Sequence, residues 1–169
     1  MARASEHGRE KQYIGRMAVI VGVISDTHGV LRPEAADVLR GSVAILHAGD
    51  VGAPEVLEAL AKIAPVYAVR GNVDLEAWAA KLPVRRTERI EGAAIHVLHD
   101  IGSLRPRDMA GVAAVIYGHS HRPAVEERDG VLFVNPGSAG PVRFGRPVSV
   151  ARLQIDRGKA SAAVIELRV

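Results

Sequence analysis

Five apolar stretches of the chain follow one pattern: each is rich in β-branched or aliphatic residues and each stops abruptly at a carboxylate, an amide or an imidazole. Residues 19–29 read VIVGVISDTHG and close on Asp26, Thr27 and His28. Residues 43–50 (VAILHAGD), 66–72 (VYAVRGN), 95–99 (IHVLH) and 112–121 (VAAVIYGHSH) repeat the design. Such runs predict buried strands. Open α/β sheets bind ligands at the carboxyl ends of their strands, so the polar endings are expected at one edge of one sheet, around a single pocket.

The intervening segments supply crossovers. Pro33 opens a predicted helix over residues 33–40 (PEAADVLR), closed by Gly41. Residues 54–63 (PEVLEALAKI) place Val56, Leu57, Leu60 and Ile63 on one helical face. Strand and helix alternate up to Asn72, which predicts parallel strands. A short helix over residues 75–81 carries the only tryptophan, Trp78, and stops before Pro83. From there the pattern changes. Residues 84–90 alternate apolar and charged positions, Glu91-Gly92 reads as a turn, and residues 93–99 form its hairpin partner. A short helix is expected over 105–110, a hairpin over 125–128 and 131–134 around Asp129-Gly130, and two strands over 148–169 hinged at 156–159. The pattern therefore gives an α/β fold with a parallel start and an antiparallel finish. Residues 1–16 are polar, contain His7 and show no sustained period. They read as a flexible extension before a single domain over 17–169.

Composition narrows the possibilities. A chain of 169 residues suits one domain with a full core. Aromatic residues make up only 4%, so that core must come from Val, Ile, Leu and Ala, as in a sheet flanked by helices. The net charge is +3, the nearest basic clusters are Arg85-Arg86 with Arg105 and Arg107, and no aromatics interleave with them, so nucleic acid is not signalled. The absence of cysteine removes disulfides and thiolate chemistry, which leaves oxygen and nitrogen to hold any metal. No apolar run reaches the roughly 18 residues of a membrane span and no hydrophobic signal core is present, so a cytoplasmic location is expected.

The candidate chemistry lies in the polar endings. In an extended segment, residues two apart point the same way, so Asp26 with His28 and His119 with His121 could each chelate one centre. Asp50, Asn72 and His99 complete a set of two carboxylates, one amide and four imidazoles, enough for two metal ions. A single Asp or His at a strand end is usually a cap or turn former. Seven of them at equivalent points, beside glycines that permit close approach, are not explained that way. His47 could hydrogen-bond to a ligand or pack within its strand, and His96, out of phase with His99, should face away. Arg143 and Arg146 flank Gly145 and are candidate contacts for a substrate phosphate or exposed solubilising groups.

Asp26-Thr27-His28, Gly49-Asp50, Gly71-Asn72, His99 and Gly118-His119-Ser120-His121 resemble, in order, the five signature blocks of the calcineurin-like metallophosphoesterase superfamily. The likeness is to its small single-domain bacterial and archaeal phosphodiesterases. It runs from residue 19 to about 153 and includes Asn135-Pro136-Gly137-Ser138, similar to a block of that subfamily. The resemblance implies a four-layer α/β/β/α sandwich of two mixed sheets with flanking helices. It implies that Asp26, His28 and His121 hold one divalent ion, that Asn72, His99 and His119 hold another, and that Asp50 bridges them. A shared carboxylate can hold two cations about 3.5 to 4 Å apart, where a bridging water loses its proton near neutral pH and attacks phosphorus. Mixed ligation suits manganese first, with iron, zinc or nickel also admitted.

The expected activity is metal-dependent hydrolysis of a small phosphodiester, with Asp50, His119 and Asp74 as catalytic residues. Where many members of the family carry a histidine that assists the leaving group, this chain reads Gly71-Asn72-Val73-Asp74. Asp74 is therefore expected to orient His119 or a substrate water, or to serve only as a turn residue. Asp100 follows His99 where the family usually has glycine, and could narrow the pocket. The alternative is a binding scaffold, since the resemblance extends to a vacuolar sorting subunit that holds partner proteins; a nuclease is less favoured. Self-association into a homo-oligomer is left open.

Overall fold

The computed structural model of the protein describes residues 17–143 and 145–169, and the expected extension over 1–16 lies outside them. The elements are β1 (Val19–Ile24), α1 (Pro33–Leu39), β2 (Ala44–His47), α2 (Pro54–Ala61), β3 (Val66–Ala68), β4 (Arg85–Ile90), β5 (Ala93–Leu98), β6 (Ala114–Ile116), β7 (Ala124–Arg128), β8 (Val131–Asn135), β9 (Ser149–Asp156) and β10 (Lys159–Glu166). They form two five-stranded sheets, in the orders β10-β9-β1-β2-β3 and β4-β5-β6-β8-β7. The first half behaves as the alternation predicts. β1 pairs in parallel with β2, and β2 with β3, in a register that aligns Ile24 with His47 and His47 with Ala68. Their carboxyl ends therefore finish level.

One sheet becomes two because a strand's alternation specifies which side chains share a face, and not which strand lies beside it. Pro83 cannot donate to a ladder, and the chain turns there into β4, which opens the second sheet. The antiparallel finish holds for the hairpins β4–β5, β7–β8 and β9–β10 but not within the second sheet's centre. β5, β6 and β8 run parallel, and only the edge strands β4 and β7 oppose them. β9 returns to the first sheet antiparallel to β1, and β10 pairs with β9.

The core fills the space between the sheets. Val21, Val23, Leu46, Leu153 and Ile155 of the first meet Ile95, Val97, Ile116 and Val134 of the second. Each such side chain contributes about 1.5 to 3 kcal/mol by leaving water. Val56 and Leu60 of α2 and Leu39 of α1 cover the outer face of the first sheet against Ile24, Ile45 and Val150. The fourth layer is thin: Ala94, Leu98, Val115 and Phe133 are covered by Ile101 and Leu104 from loops. A 3-10 turn, Pro106–Met109, stands in place of the helix expected over 105–110, and another, Ile101–Ser103, precedes it. The expected helix over 75–81 is likewise a 3-10 turn, Ala77–Lys81. Among the described residues, no helix is long and apolar enough to cross a membrane.

Candidate metal centre

The strand ends of both sheets converge at one edge of the sandwich. β1 delivers Asp26 and His28, β2 delivers Asp50, β3 delivers Asn72, β5 delivers His99, and β6 delivers His119 and His121. The two chelating pairs, Asp26 with His28 and His119 with His121, do not lie on extended backbone as their spacing suggests. Asp26, His28, Asp50, His119 and His121 take φ of 54, 47, 53, 68 and 54°, in the left-handed region that a strand cannot continue. The apolar run over 112–121 accordingly yields a strand of only three residues, Ala114–Ile116. Glycines make room for the convergence. A Cβ at Gly71 would overlap the backbone and carboxylate of Asp50, and one at Gly118 would overlap Ser25 and Asp26.

Two groups of donors face one another. In the first, His121 Nε2 lies 3.2 Å from Asp26 Oδ1 and 3.4 Å from His28 Nε2. In the second, Asn72 Oδ1 lies 3.0 Å from His99 Nε2 and 3.1 Å from His119 Nδ1. Asp50 sits between them, with Oδ2 3.3 Å from His99 Nε2 and 4.0 Å from His28 Nε2. Its other oxygen is held by the Val73 amide at 3.0 Å. The seven residues singled out in the sequence are thus brought together at this edge, three on either side of Asp50.

The donor chemistry fits cations. Asp26 Oδ2 accepts from the Ser25 hydroxyl at 2.7 Å and the His119 amide at 3.2 Å, while Oδ1 is buried without a hydrogen bond. An orphaned buried carboxylate oxygen is costly unless a cation answers it. His99 donates from Nδ1 to the Ala48 carbonyl at 2.7 Å, which leaves the Nε2 lone pair facing the oxygens of Asn72 and Asp50. Three lone pairs pointing at one another require a proton or a metal between them. The side-chain electrostatics agree. Burial pushes His99 down, yet Asp50 and the Ala48 carbonyl outweigh it and hold the imidazole above its ordinary value. Burial pushes Asp50 up, but the hydrogen bonds from His99 and Val73 keep it below the usual carboxylate range. At Asp26 burial wins and raises the carboxyl. His28 and His121 are pushed down by burial, with Arg143 adding to the effect on both.

Residues outside the ligand set hold these loops. His47 is fully buried. Its Nδ1 accepts from the Gly49 amide at 3.2 Å, so Nε2–H faces Thr27 Oγ1 at 2.9 Å, and Thr27 in turn donates to the Val51 carbonyl at 2.9 Å. This relay ties the Asp26–His28 loop to the loop carrying Asp50. Asn135 donates to the Gly118 carbonyl at 3.0 Å and to Ser120 Oγ at 3.1 Å, and Ser138 donates to the Asp26 carbonyl at 3.0 Å. The segment Asn135-Pro136-Gly137-Ser138 thus braces the Asp26–His28 and His119–His121 loops from behind.

Several site expectations need revision. Asp74 is 2% exposed, and its carboxylate accepts from the amides of Val51, Gly52 and Gly71 at 3.1, 2.8 and 2.9 Å. Its oxygens are committed to backbone, so it clamps the loops flanking Asp50 instead of orienting His119 or a water. Asp100 is exposed and accepts from the Gly102 amide at 2.9 Å, capping a 3-10 turn. His96 faces the outer side of the second sheet, as its phase predicts, with Nδ1 2.9 Å from Thr87 Oγ1. Arg143 is exposed and places its charge near His28 and His121. Arg146 donates to the Ser120 carbonyl. The roles of Ser25 and Asn135 were not legible in the chain, although Asn135 opens a block named in the resemblance, and His47 bonds to Thr27 and Gly49 instead of to a ligand.

A pair of mixed sheets with nitrogen and oxygen donors gathered around one carboxylate at a shared edge is the arrangement of a metallophosphoesterase-like protein. The calcineurin-like phosphoesterase superfamily domain matches residues 19–158, and the chain belongs to that family. Membership makes it a hydrolase of the phosphoesterase class and implies divalent metal ions. A probable metallophosphoesterase of Methanothermobacter thermautotrophicus is 36% identical over 162 residues, covering 87% of this chain and 92% of the relative. Among solved structures, an archaeal phosphodiesterase has a TM-score of 0.70 at 22% identity, covering 87% of this chain and 100% of that one. Vacuolar protein sorting 29 of Cryptosporidium parvum has a TM-score of 0.70 at 21% identity, covering 91% and 100%. Both share the fold.

Proposed function

We propose that the protein is a dinuclear metal-dependent phosphoesterase that hydrolyses a small phosphodiester. The observation that carries this reading is Asp50 Oδ2, poised between His28 and His99 and hence between the two groups of donors. Asp26, His28 and His121 would hold one divalent ion and Asn72, His99 and His119 the other, with Asp50 shared. Two such ions supply Lewis-acid charge to the phosphoryl oxygens and an acidified water as nucleophile. Manganese suits the mixed ligands, with iron, zinc and nickel as alternatives.

The surrounding residues refine the substrate class. The positive charge of Arg143 beside His28 and His121 suits an anionic ester. Asp74 stands where the resemblance implies a histidine that assists the leaving group, and its carboxylate accepts from three backbone amides. With Asp74 turned to backbone, this favours diesters whose leaving group departs as an anion. The test is hydrolysis of bis(4-nitrophenyl) phosphate with and without manganese. Asp50→Ala is expected to lower kcat/KM at least about 1,000-fold while circular dichroism is unchanged, a loss of roughly 4 kcal/mol in transition-state stabilisation. Full activity in that variant, or no activity of the wild type with any of the four metals, contradicts the proposal.

A second reading rests on Leu75, which is 85% exposed two residues beyond Val73. With Val73, 45% exposed, it gives the segment after Asn72 two exposed aliphatic side chains, which suits a protein-binding scaffold, and the fold is shared with vacuolar protein sorting 29. That reading requires partner binding to survive Asp50→Ala.

A further inference from the structure

The four outer edges of the two sheets are unequally protected. β3 is only three residues long. β4 carries Arg85, Arg86, Glu88 and Arg89, and β7 carries Glu126, Glu127 and Arg128. Brevity and charge are the means by which proteins keep strand edges from pairing with other chains. β10 has neither: it runs eight residues, KASAAVIE, and its six central positions are uncharged. Among the described residues, no strand pairs with its far side.

The register fixes which backbone groups that edge offers. Arg157 and Gly158 have φ of 49 and 78°, so a two-residue turn of the hairpin type closes on the pair Asp156 and Lys159. Counting from that closing pair, Lys159, Ser161, Ala163 and Ile165 direct their amides and carbonyls to β9. Ala160, Ala162, Val164 and Glu166 direct theirs outward. An antiparallel two-fold centred on Ala163 sets Ala162 opposite Val164 of the second copy and Ala160 opposite Glu166, so all four outward residues form hydrogen-bonded pairs. Centring on Ala162 leaves Glu166 without a partner inside the strand. The Ala163 register places no charge opposite a like charge. β7 packs against β10 at this flank and leaves Val125 40% exposed, which adds apolar surface beside the edge.

We propose that β10 is a homodimer interface, joining the first sheets of two copies into one ten-stranded sheet about a two-fold axis at Ala163. The partner is a second copy because the edge is complementary to itself. The metal-site edge is formed by other strand ends, so each copy keeps its own site.

The chain has no cysteine, which makes a cross-linking test direct. Directly opposed residues that do not exchange hydrogen bonds have Cα atoms about 4.5 Å apart, within the disulfide range of roughly 4.4 to 6.8 Å. Ala163→Cys in the full chain, treated with diamide as the two-electron oxidant, is expected to become a covalent dimer. Ser161→Cys, which would face Ile165 of the second copy, is expected to stay uncoupled. By sedimentation velocity the wild type should be a dimer, and Ala163→Lys and Ala163→Asp should each dissociate at least tenfold more readily. Mixing those two variants should restore a heterodimer, and diester hydrolysis per chain should be unchanged. A monomeric wild type, a dimer unaffected by either charge, or equal cross-linking at positions 161 and 163 overturns the proposal. So does an edge that stays monomeric but captures an extended peptide.

Discussion

At the end of the sandwich away from the candidate metal centre, Glu91, Asp129 and Arg157 adopt φ of 46, 50 and 49°, and each is followed by a glycine in a tight hairpin turn. At the site edge, five ligand residues adopt the same backbone region, and only His28 is followed by glycine. The turns are satisfied by their own two residues, whereas the ligand loops are held from a distance. The bonds Thr27–His47, Asp74–Val51, Asn135–Gly118 and Ser138–Asp26 span 20, 23, 17 and 112 residues of sequence. The same conformation is thus a local choice at one end and a tertiary one at the other. Strain kept only where surrounding structure enforces it is a property of functional sites.

Substitutions should separate the two ends in order of effect. Gly71→Ala pushes a methyl group into Asp50 and should cost about 3 kcal/mol in chemical denaturation while also abolishing diester hydrolysis. A loss under about 1 kcal/mol would mean that the site edge yields as easily as a turn.

His47 gives an effect of similar size with a pH signature. Burial holds its imidazole at about 4, below the ordinary 6.5, so the unfolded chain takes up a proton that the folded protein refuses between those values. Stability from this group is complete above pH 6.5 and falls as the pH drops to about 4, by about 3 kcal/mol. In chelator-treated protein, His47→Gln should show a correspondingly flatter denaturation profile across that window, and parallel profiles would contradict the assignment. The smallest effect belongs to the far end. A Cβ at Gly130 meets open space, so Gly130→Ala should cost only the left-handed penalty of about 1 kcal/mol and leave hydrolysis intact.

The contrast also explains what could be read from the chain. Hairpins at Glu91-Gly92, Asp129-Gly130 and Arg157-Gly158 were legible because turn chemistry is local. The seven candidate ligands were legible because their residue types close apolar runs beside glycines. The second sheet came only from the family resemblance, because alternation in β5 or β8 says nothing of which strand lies alongside. The role of Asp74 was not legible, because its position after Asn72 suggests a catalytic group until three amides are found on it. The helix expected over 105–110 is a 3-10 turn, since a proline at the first position opens either kind.

The central claim is that Asp50 is shared by two ions. Native mass spectrometry of protein titrated with manganese measures it without reference to activity. Two ions per chain in the wild type, reduced to one or none in Asp50→Ala, is the expected result. A single ion at saturation, or two ions undisturbed by Asp50→Ala, would contradict it.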